Sequence, residues 1–195
     1  MKKILSLSAM LLAALLLITS CAGATGISTD DCTETTDTFN PADGNWTVVT
    51  KGNTNFLGLS ADFETNLKVT IANNQWTVKE AKSSYKFKTE DWVDKTIYDA
   101  VINTPLENQY FEQLKETYKT FFEQLGYTVE NIDINDSNLT LALKVPEENL
   151  NTTTVPVPST SASVKTNKEN TKYTWTSTFT YSGNEYTQTY IYIKE

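Results

Sequence analysis

The stretch 172–194, KYTWTSTFTYSGNEYTQTYIYIK, decides the fold. Trp175, Phe179 and Tyr181 stand at odd positions, and Thr174, Thr176, Thr178 and Thr180 stand at even ones. Past Ser182-Gly183-Asn184 the aromatic residues resume at Tyr186, Tyr190 and Tyr192. Alternation with period two marks a strand with one buried face. Gly183-Asn184 suits a two-residue hairpin turn. Folded back on itself, the stretch gathers Trp175, Phe179 and Tyr181 with Tyr186, Tyr190 and Tyr192, and leaves a threonine ladder opposite. The aromatic face is expected to be buried, and a sheet must carry it.

The same period recurs upstream. NWTVVT puts Trp46 and Val48 on one face, and LKVTI (67–71) does so with Leu67, Val69 and Ile71. Asn73-Asn74 then reads as a turn into QWTVKE, which makes 67–80 a second hairpin. SSYKFK pairs Tyr85 with Phe87 against Lys86 and Lys88. Residues 55–63, NFLGLSADF, read as a strand with a glycine bulge at Gly58. After residue 125, YTVENIDI and NLTLALKV read as strands joined at Asn135-Asp136-Ser137.

Between these strand runs the period changes. Thr104-Pro105-Leu106-Glu107 is a capping box with proline at the first helical position. Leu106, Tyr110, Phe111, Leu114, Tyr118, Phe121, Phe122 and Leu125 follow at spacings of three and four, and Gly126 marks the stop. This spacing predicts a helix over 105–125. A weaker helical pattern over 90–103 would turn Val93, Ile97, Val101 and Ile102 inward. Residues 146–170 carry Pro146, Pro156, Pro158 and many Thr, Ser and Asn residues. So long a stretch without pattern is unusual in a compact domain. It is either a mobile excursion or contains a strand at Val155-Pro156-Val157. The expected class is α+β: an antiparallel, strongly bent or barrel-like sheet of about eight strands, with a helical insertion near 90–125.

The N-terminal residues carry an expectation about location. Met1-Lys2-Lys3 precedes an apolar run from Ile4 to Ile18, shorter than the roughly 20 residues of a comfortable membrane span. A basic start, a short apolar run and small residues after it read as an export signal over residues 1–20. Ile18-Thr19-Ser20-Cys21 resembles the lipobox of bacterial lipoproteins. That resemblance implies diacylglyceryl transfer to the Cys21 sulfur, cleavage before it and further acylation of the new amino group. Two or three chains hold a protein stably on a bilayer. Localisation would be the cell membrane or the outer membrane, facing the periplasm or the exterior. A disulfide to Cys32 and ordinary cleavage near Cys21 are the competing readings. Residues 21–43, small, polar and acidic, read as a lipidated flexible tether. Residues 44–195 then form a single β-rich domain. Its start, Gly44-Asn45-Trp46, resembles the Gly-x-Trp entry of lipocalins, whose tryptophan closes one end of an eight-stranded barrel. The mid-chain helix departs from that family, and no lipocalin ligand residue maps onto this sequence.

Composition limits the chemistry. Removing residues 1–20 leaves 175 residues with 14 lysines against 24 acidic residues, a net charge of −10. There is no histidine, and all 16 basic residues are lysine. The commonest general base, the commonest transition-metal ligand and the bidentate arginine clamp are therefore missing. Net negative charge opposes nucleic acid, which is not an expected partner. An AT-rich genome favouring lysine codons would produce the same absences, but the chemical limits hold either way.

Asp133-Ile134-Asn135-Asp136-Ser137-Asn138 has oxygen ligands at calcium-loop positions. Asn138 replaces the required glycine and Lys144 the required glutamate, so a hairpin turn is the better reading and no metal is expected. Cys32 lies among Asp30, Asp31, Glu34 and Asp37, which disfavour a thiolate. The near carboxylate pairs are Glu147-Glu148, Asp91 with Asp94, and Glu112 with Glu116. The last pair lies on the polar face of the helix. Trp175, Tyr186, Tyr190 and Tyr192 are the candidate ligand contacts, because phenols and indole can line a pocket. The expected protein is a non-enzymatic, lipid-anchored binding or interaction module without cofactor. Its partner would be a small apolar or glycan ligand, or an envelope protein. The alternatives are a structural or surface-exposed lipoprotein with a filled core, and a carboxylate-based glycan hydrolase.

Overall fold

The computed structural model describes residues 27–36, 38–56, 59–135, 137–181 and 183–195. Cys21, the rest of the lipobox and Gly58 lie outside the described residues. Among the described residues ten strands form one antiparallel sheet: β1 (Thr33–Glu34), β2 (Gly44–Phe56), β3 (Leu59–Ala72), β4 (Gln75–Lys88), β5 (Thr128–Ile134), β6 (Asn138–Lys144), β7 (Val155–Pro156), β8 (Lys165–Thr166), β9 (Lys172–Tyr181) and β10 (Asn184–Lys194). Three helices among the described residues interrupt them: α1 (Thr89–Trp92), α2 (Lys95–Val101) and α3 (Glu107–Gln124). The order across the sheet is β1-β8-β9-β10-β2-β3-β4-β6-β5, with β7 beside the start of β4. The sheet does not close among the described residues, and it has ten strands instead of about eight. Three of the ten are two-residue pieces: β7 falls at the strand offered for Val155-Pro156-Val157, and β1 and β8 are too short to show alternation.

The hairpins follow their turn chemistry. Asn73 and Asn74 both have positive φ, 54° and 58°, as a type I′ turn requires. β9 and β10 pair with Asn184 opposite Tyr181, so the pairing begins one residue earlier in β10 than the expected Gly183-Asn184 turn would place it. Gly183 takes φ 80° there. The shift preserves parity, so the expected faces hold. Thr176 and Thr178 meet Thr189 and Thr187 hydroxyl to hydroxyl on the far side, at 3.2 and 3.3 Å. Residues 55–63 are not one strand, because the chain reverses between Phe56 and Leu59, which pair.

Two bulges keep the apolar faces in line. In β4, Lys79 has no partner in β3, since Glu80 faces Lys68 and Val78 faces Val69. Parity therefore switches at Lys79. Trp76 and Val78 before it, and Ala81, Tyr85 and Phe87 after it, reach the same side as Phe63, Leu67, Val69 and Ile71 of β3. Glu130 does the same in β5. Extra residues of this kind also sharpen the local bend of a strand.

That one face carries two cores. The first gathers Phe63, Tyr85, Phe87, Leu139, Leu141 and Leu143 beneath Phe111 and Phe122 of α3. The helix begins at Glu107, two residues later than expected. Thr104 Oγ1 accepts from Leu106 N, and the Glu107 carboxylate accepts from Asn103 N at 2.5 Å. It ends in a Schellman motif: Tyr127 N donates to Phe122 O and Gly126 N to Glu123 O, with Gly126 at φ 89°. Trp92, Tyr98 and Ile102 pack on this core from the preceding segment. Ile97, expected inside, is 48% exposed, because the break at Val93-Asp94 restarts the helix with a rotated face. Asp94 caps that restart, accepting from Thr96 N and Ile97 N.

The second core gathers Trp46, Val48, Val69, Ile71, Trp76, Tyr173, Trp175 and Tyr192. Its cover is irregular chain. Phe39 lies against Tyr173, Trp175 and Tyr192 with ring centroids 4.7–5.3 Å apart. Val155, Val157, Ala162 and Val164 close it from residues 146–170. Within the segment expected to be a tether, described residues between Ser28 and Asp43 contact the sheet. β1 pairs β8, Asp31 bonds Lys172 Nζ at 2.8 Å, and Asp43 accepts from Asn73 N. Residues 146–170 are likewise ordered around β7 and β8, with Val157 N donating to Asn74 O.

Candidate functional site

The predicted ligand residues fall on one aromatic wall along β9 and β10. Tyr192 faces Tyr173, Tyr190 faces Trp175, and Tyr186 faces Phe179. The rings stack: Trp175 on Tyr190 at 5.0 Å, Trp175 on Tyr192 at 5.3 Å, and Phe179 on Tyr186 at 5.5 Å. Burial falls along the wall. Tyr192 and Trp175 are buried, Tyr190 and Tyr186 half-buried, and Phe179 is 38% exposed. The inner pair packs into the second core under Phe39. Burial, with the neighbouring Tyr190, pushes the Tyr192 phenol far above its ordinary range. The Tyr190 hydroxyl donates to the Gln188 carboxamide oxygen. Trp175 and Tyr192 thus serve as packing, and the half-buried Tyr186 and Tyr190 are the members of the set that remain partly open.

A cavity of about 80 Å³ lies elsewhere on the same face, at the β4 bulge. β7 pairs β4 at Gln75 and Trp76, and β6 resumes at Lys82. Between them residues 146–154 arch away from the strand edge, and the space beneath the arch stays open. Leu67, Val78 and Ala81 form the sheet side of the cavity, and Val145, Leu150 and Val155 the arch side. Trp76 also lines it, and its Nε1 is buried without a hydrogen-bond partner. Asn149, Asn151 and Thr153 line the mouth and are exposed. The arch is held in place: Asn149 Nδ2 donates to Gly126 O at 3.1 Å, Asn151 Oδ1 accepts from Thr153 N, and Thr154 meets Thr77 hydroxyl to hydroxyl at 3.0 Å. None of the lining residues is charged.

No family model, no curated protein and no solved structure matches this chain. The site therefore rests on geometry alone. Sequence reasoning read Trp76 as a strand aromatic and the arch as loose chain. The parity shift between Trp76-Val78 and Tyr85-Phe87 is the sequence signal of the bulge, and it went unread.

The remaining candidates are occupied by structural tasks. Glu112 pairs with Lys115 at 2.8 Å, Asp94 caps α2, and Glu147 and Glu148 are exposed in a short 3-10 turn. Asn135 Oδ1 accepts from Ser137 N and Asn138 N, the hydrogen bonding of a turn. Asp133 lies 3.5 Å from Lys115, and Asp136 lies outside the described residues. No cluster of three metal-ligating side chains occurs among the described residues. Burial first, and then the Asp31 charge, pushes the Cys32 thiol up, away from the nucleophilic thiolate.

Proposed function

We propose that this protein is a bacterial lipoprotein, held on the envelope by acyl chains on Cys21, whose domain binds a small neutral ligand and catalyses no reaction. The sheet would be a bent, barrel-like cup, in keeping with the bulges at Lys79 and Glu130. One observation carries the binding reading: an apolar cavity of about 80 Å³ open at the arch. Binding sites combine an apolar lining with a few placed polar groups, and this one does so at small scale. Lack of charge in the lining favours a neutral ligand, because a buried ion would stand unpaired. Native mass spectrometry on protein purified gently from its own source tests this. A small bound mass that leaves on denaturation is the expected result. A bare protein at high ligand-preserving sensitivity counts against it. The same spectra read the anchor: the N-terminal peptide should carry diacylglycerol on Cys21, and Cys21→Ser should move the protein into the soluble fraction.

A structural lipoprotein is the second reading. The observation in its favour is Phe39, which closes over Trp175 and Tyr192 and fills the space a ligand would need there.

A further inference from the structure

We infer that residues 27–40 form a strap that unlatches from the sheet as a unit while the rest of the domain stays folded, and that its state sets how far the domain reaches from the membrane. The second half rests on the Cys21 anchor proposed above. The strap lies over the second core, yet none of its described residues is buried. Even Phe39, which closes over Tyr173, Trp175 and Tyr192, is only half-buried. Its strand pairing is two residues long, β1 on β8, followed by Thr35 N donating to Val164 O at 3.1 Å. Segments that bury little and pair briefly open at a lower free energy than the core does. The core beneath has contacts that do not involve Phe39. Trp175 stacks on Tyr190 and Tyr192, and the Trp46 ring lies 5.9 Å from that of Tyr173.

Charge holds the strap down. Residues 27–40 contain Asp30, Asp31 and Glu34 and no lysine. The Lys172 ammonium donates to both oxygens of Asp31, at 2.8 and 3.0 Å, and to the Ser28 carbonyl at 3.0 Å. Glu34 stands opposite Lys165. One side chain thus gathers residues 28–31, and Asp31–Lys172 is the one ion pair joining strap to sheet among the described residues. The hinge is fixed just beyond. Pro41 is buried, Ala42 O accepts from the Trp46 indole at 2.9 Å, and Asp43 Oδ1 accepts from Asn73 N at 3.0 Å. Latched, the chain from Cys21 to Ser28 spans at most about 25 Å; unlatched, the chain from Cys21 to Pro41 spans up to about 70 Å. Opening also bares the parts of Tyr173, Trp175 and Tyr192 that Phe39 covers.

Hydrogen exchange on the full-length protein in detergent tests the strap. Peptides covering 27–40 should exchange through local opening, faster than β2 and α3. Lys172→Gln should speed them about twofold to fivefold, the worth of an exposed ion pair, with β2 and α3 unmoved. About 0.5 M sodium chloride should do the same to the wild type and add nothing to Lys172→Gln. Strap amides that exchange at the rate of β2 and α3 overturn the inference, as does a Lys172→Gln effect spread evenly over all three. Reach is read after reconstitution into phosphatidylcholine vesicles that hold dansyl-labelled lipid. Trp46, Trp76, Trp92 and Trp175 all lie beyond the hinge. Energy transfer from them to dansyl should fall in Lys172→Gln and fall further in Phe39→Ala. Transfer equal to the wild type in both variants, with exchange showing the strap open, overturns the reach claim. Wild-type protein that fails to float with the vesicles sinks the anchor reading instead, and exchange still decides whether the strap unlatches.

Discussion

The two cores share one face of one sheet, yet they are closed by different means. The first is covered by α3, a regular helix that buries Phe111 and Phe122. The second is covered by Phe39 and by Val155, Val157 and Val164, from segments whose only strands are two residues long. A helix satisfies its own backbone, so it can cover a sheet with few cross-links. Irregular chain cannot, and the second cover is stitched at many points. Asn167 shows how. Its Oδ1 accepts from Thr171 N and Lys172 N, and its Nδ2 donates to Thr171 Oγ1 and Glu169. The Trp46 indole likewise donates to Ala42 O at 2.9 Å, tying the N-terminal strap to the sheet. The open cavity falls at the junction of the two covers, where Asn149 reaches Gly126.

That contrast is open to attack by mutation. The largest effect is expected from Phe122→Ala beneath the helix, at about 3–5 kcal/mol, the usual range for a fully buried phenylalanine. Urea unfolding should show it as a lower midpoint with an unchanged slope. Raising the pH attacks both cores together, since Tyr85 lies buried in the first and Tyr192 in the second. Burial lifts Tyr85 in the first and Tyr192 in the second far above the ordinary phenol range. The unfolded chain titrates first, near pH 10, so this contribution is complete below that pH. Above it, stability should fall by about 1.4 kcal/mol per pH unit for each tyrosine until the folded values are reached. Absorbance of tyrosinate should therefore rise cooperatively with unfolding, and a smooth titration of all ten tyrosines would contradict it.

Phe39→Ala should cost less, about 2 kcal/mol, because Phe39 is only half-buried and its cover can open locally. Hydrogen exchange should then speed up in residues 33–43 and 164–166 while α3 stays protected. Equal loss of protection in α3 would mean that the two covers are not separable. Gly126→Ala tests their junction. Gly126 has φ 89°, and a Cβ would sit 3.3 Å from Asn149 Nδ2, so about 1–2 kcal/mol should be lost along with the hold on the arch. The smallest effect is expected at Asn74→Gly, a gain of up to about 0.5 kcal/mol in melting experiments, since glycine suits the second position of a type I′ turn.

What was legible in the sequence follows this same division. The β9–β10 faces, the Asn73-Asn74 hairpin and the helix ending at Gly126 each repeat a local period or use a local turn residue. The helix at 95–101 was legible only in part, because Asp94 resets its phase and turns Ile97 outward. Of the candidate ligand residues, Trp175 and Tyr192 were placed on the correct face. Their neighbour across the core, Phe39, lies more than a hundred residues away and has no periodic context. Nothing local could show that it fills the space above them.

The sequence alone determined the antiparallel pairing, the aromatic and threonine faces, and the chemistry that lysine-only basic residues exclude. These are properties of residue order along one strand or one helix, set by alternating side-chain direction and by turn conformations. The tertiary structure decided which segments cover the sheet, that its ends stay unjoined among the described residues, and that the bulge at Lys79 opens a cavity beside Trp76. These depend on contacts between distant segments. Their free energy comes from burial of shared surface, which has no period to read.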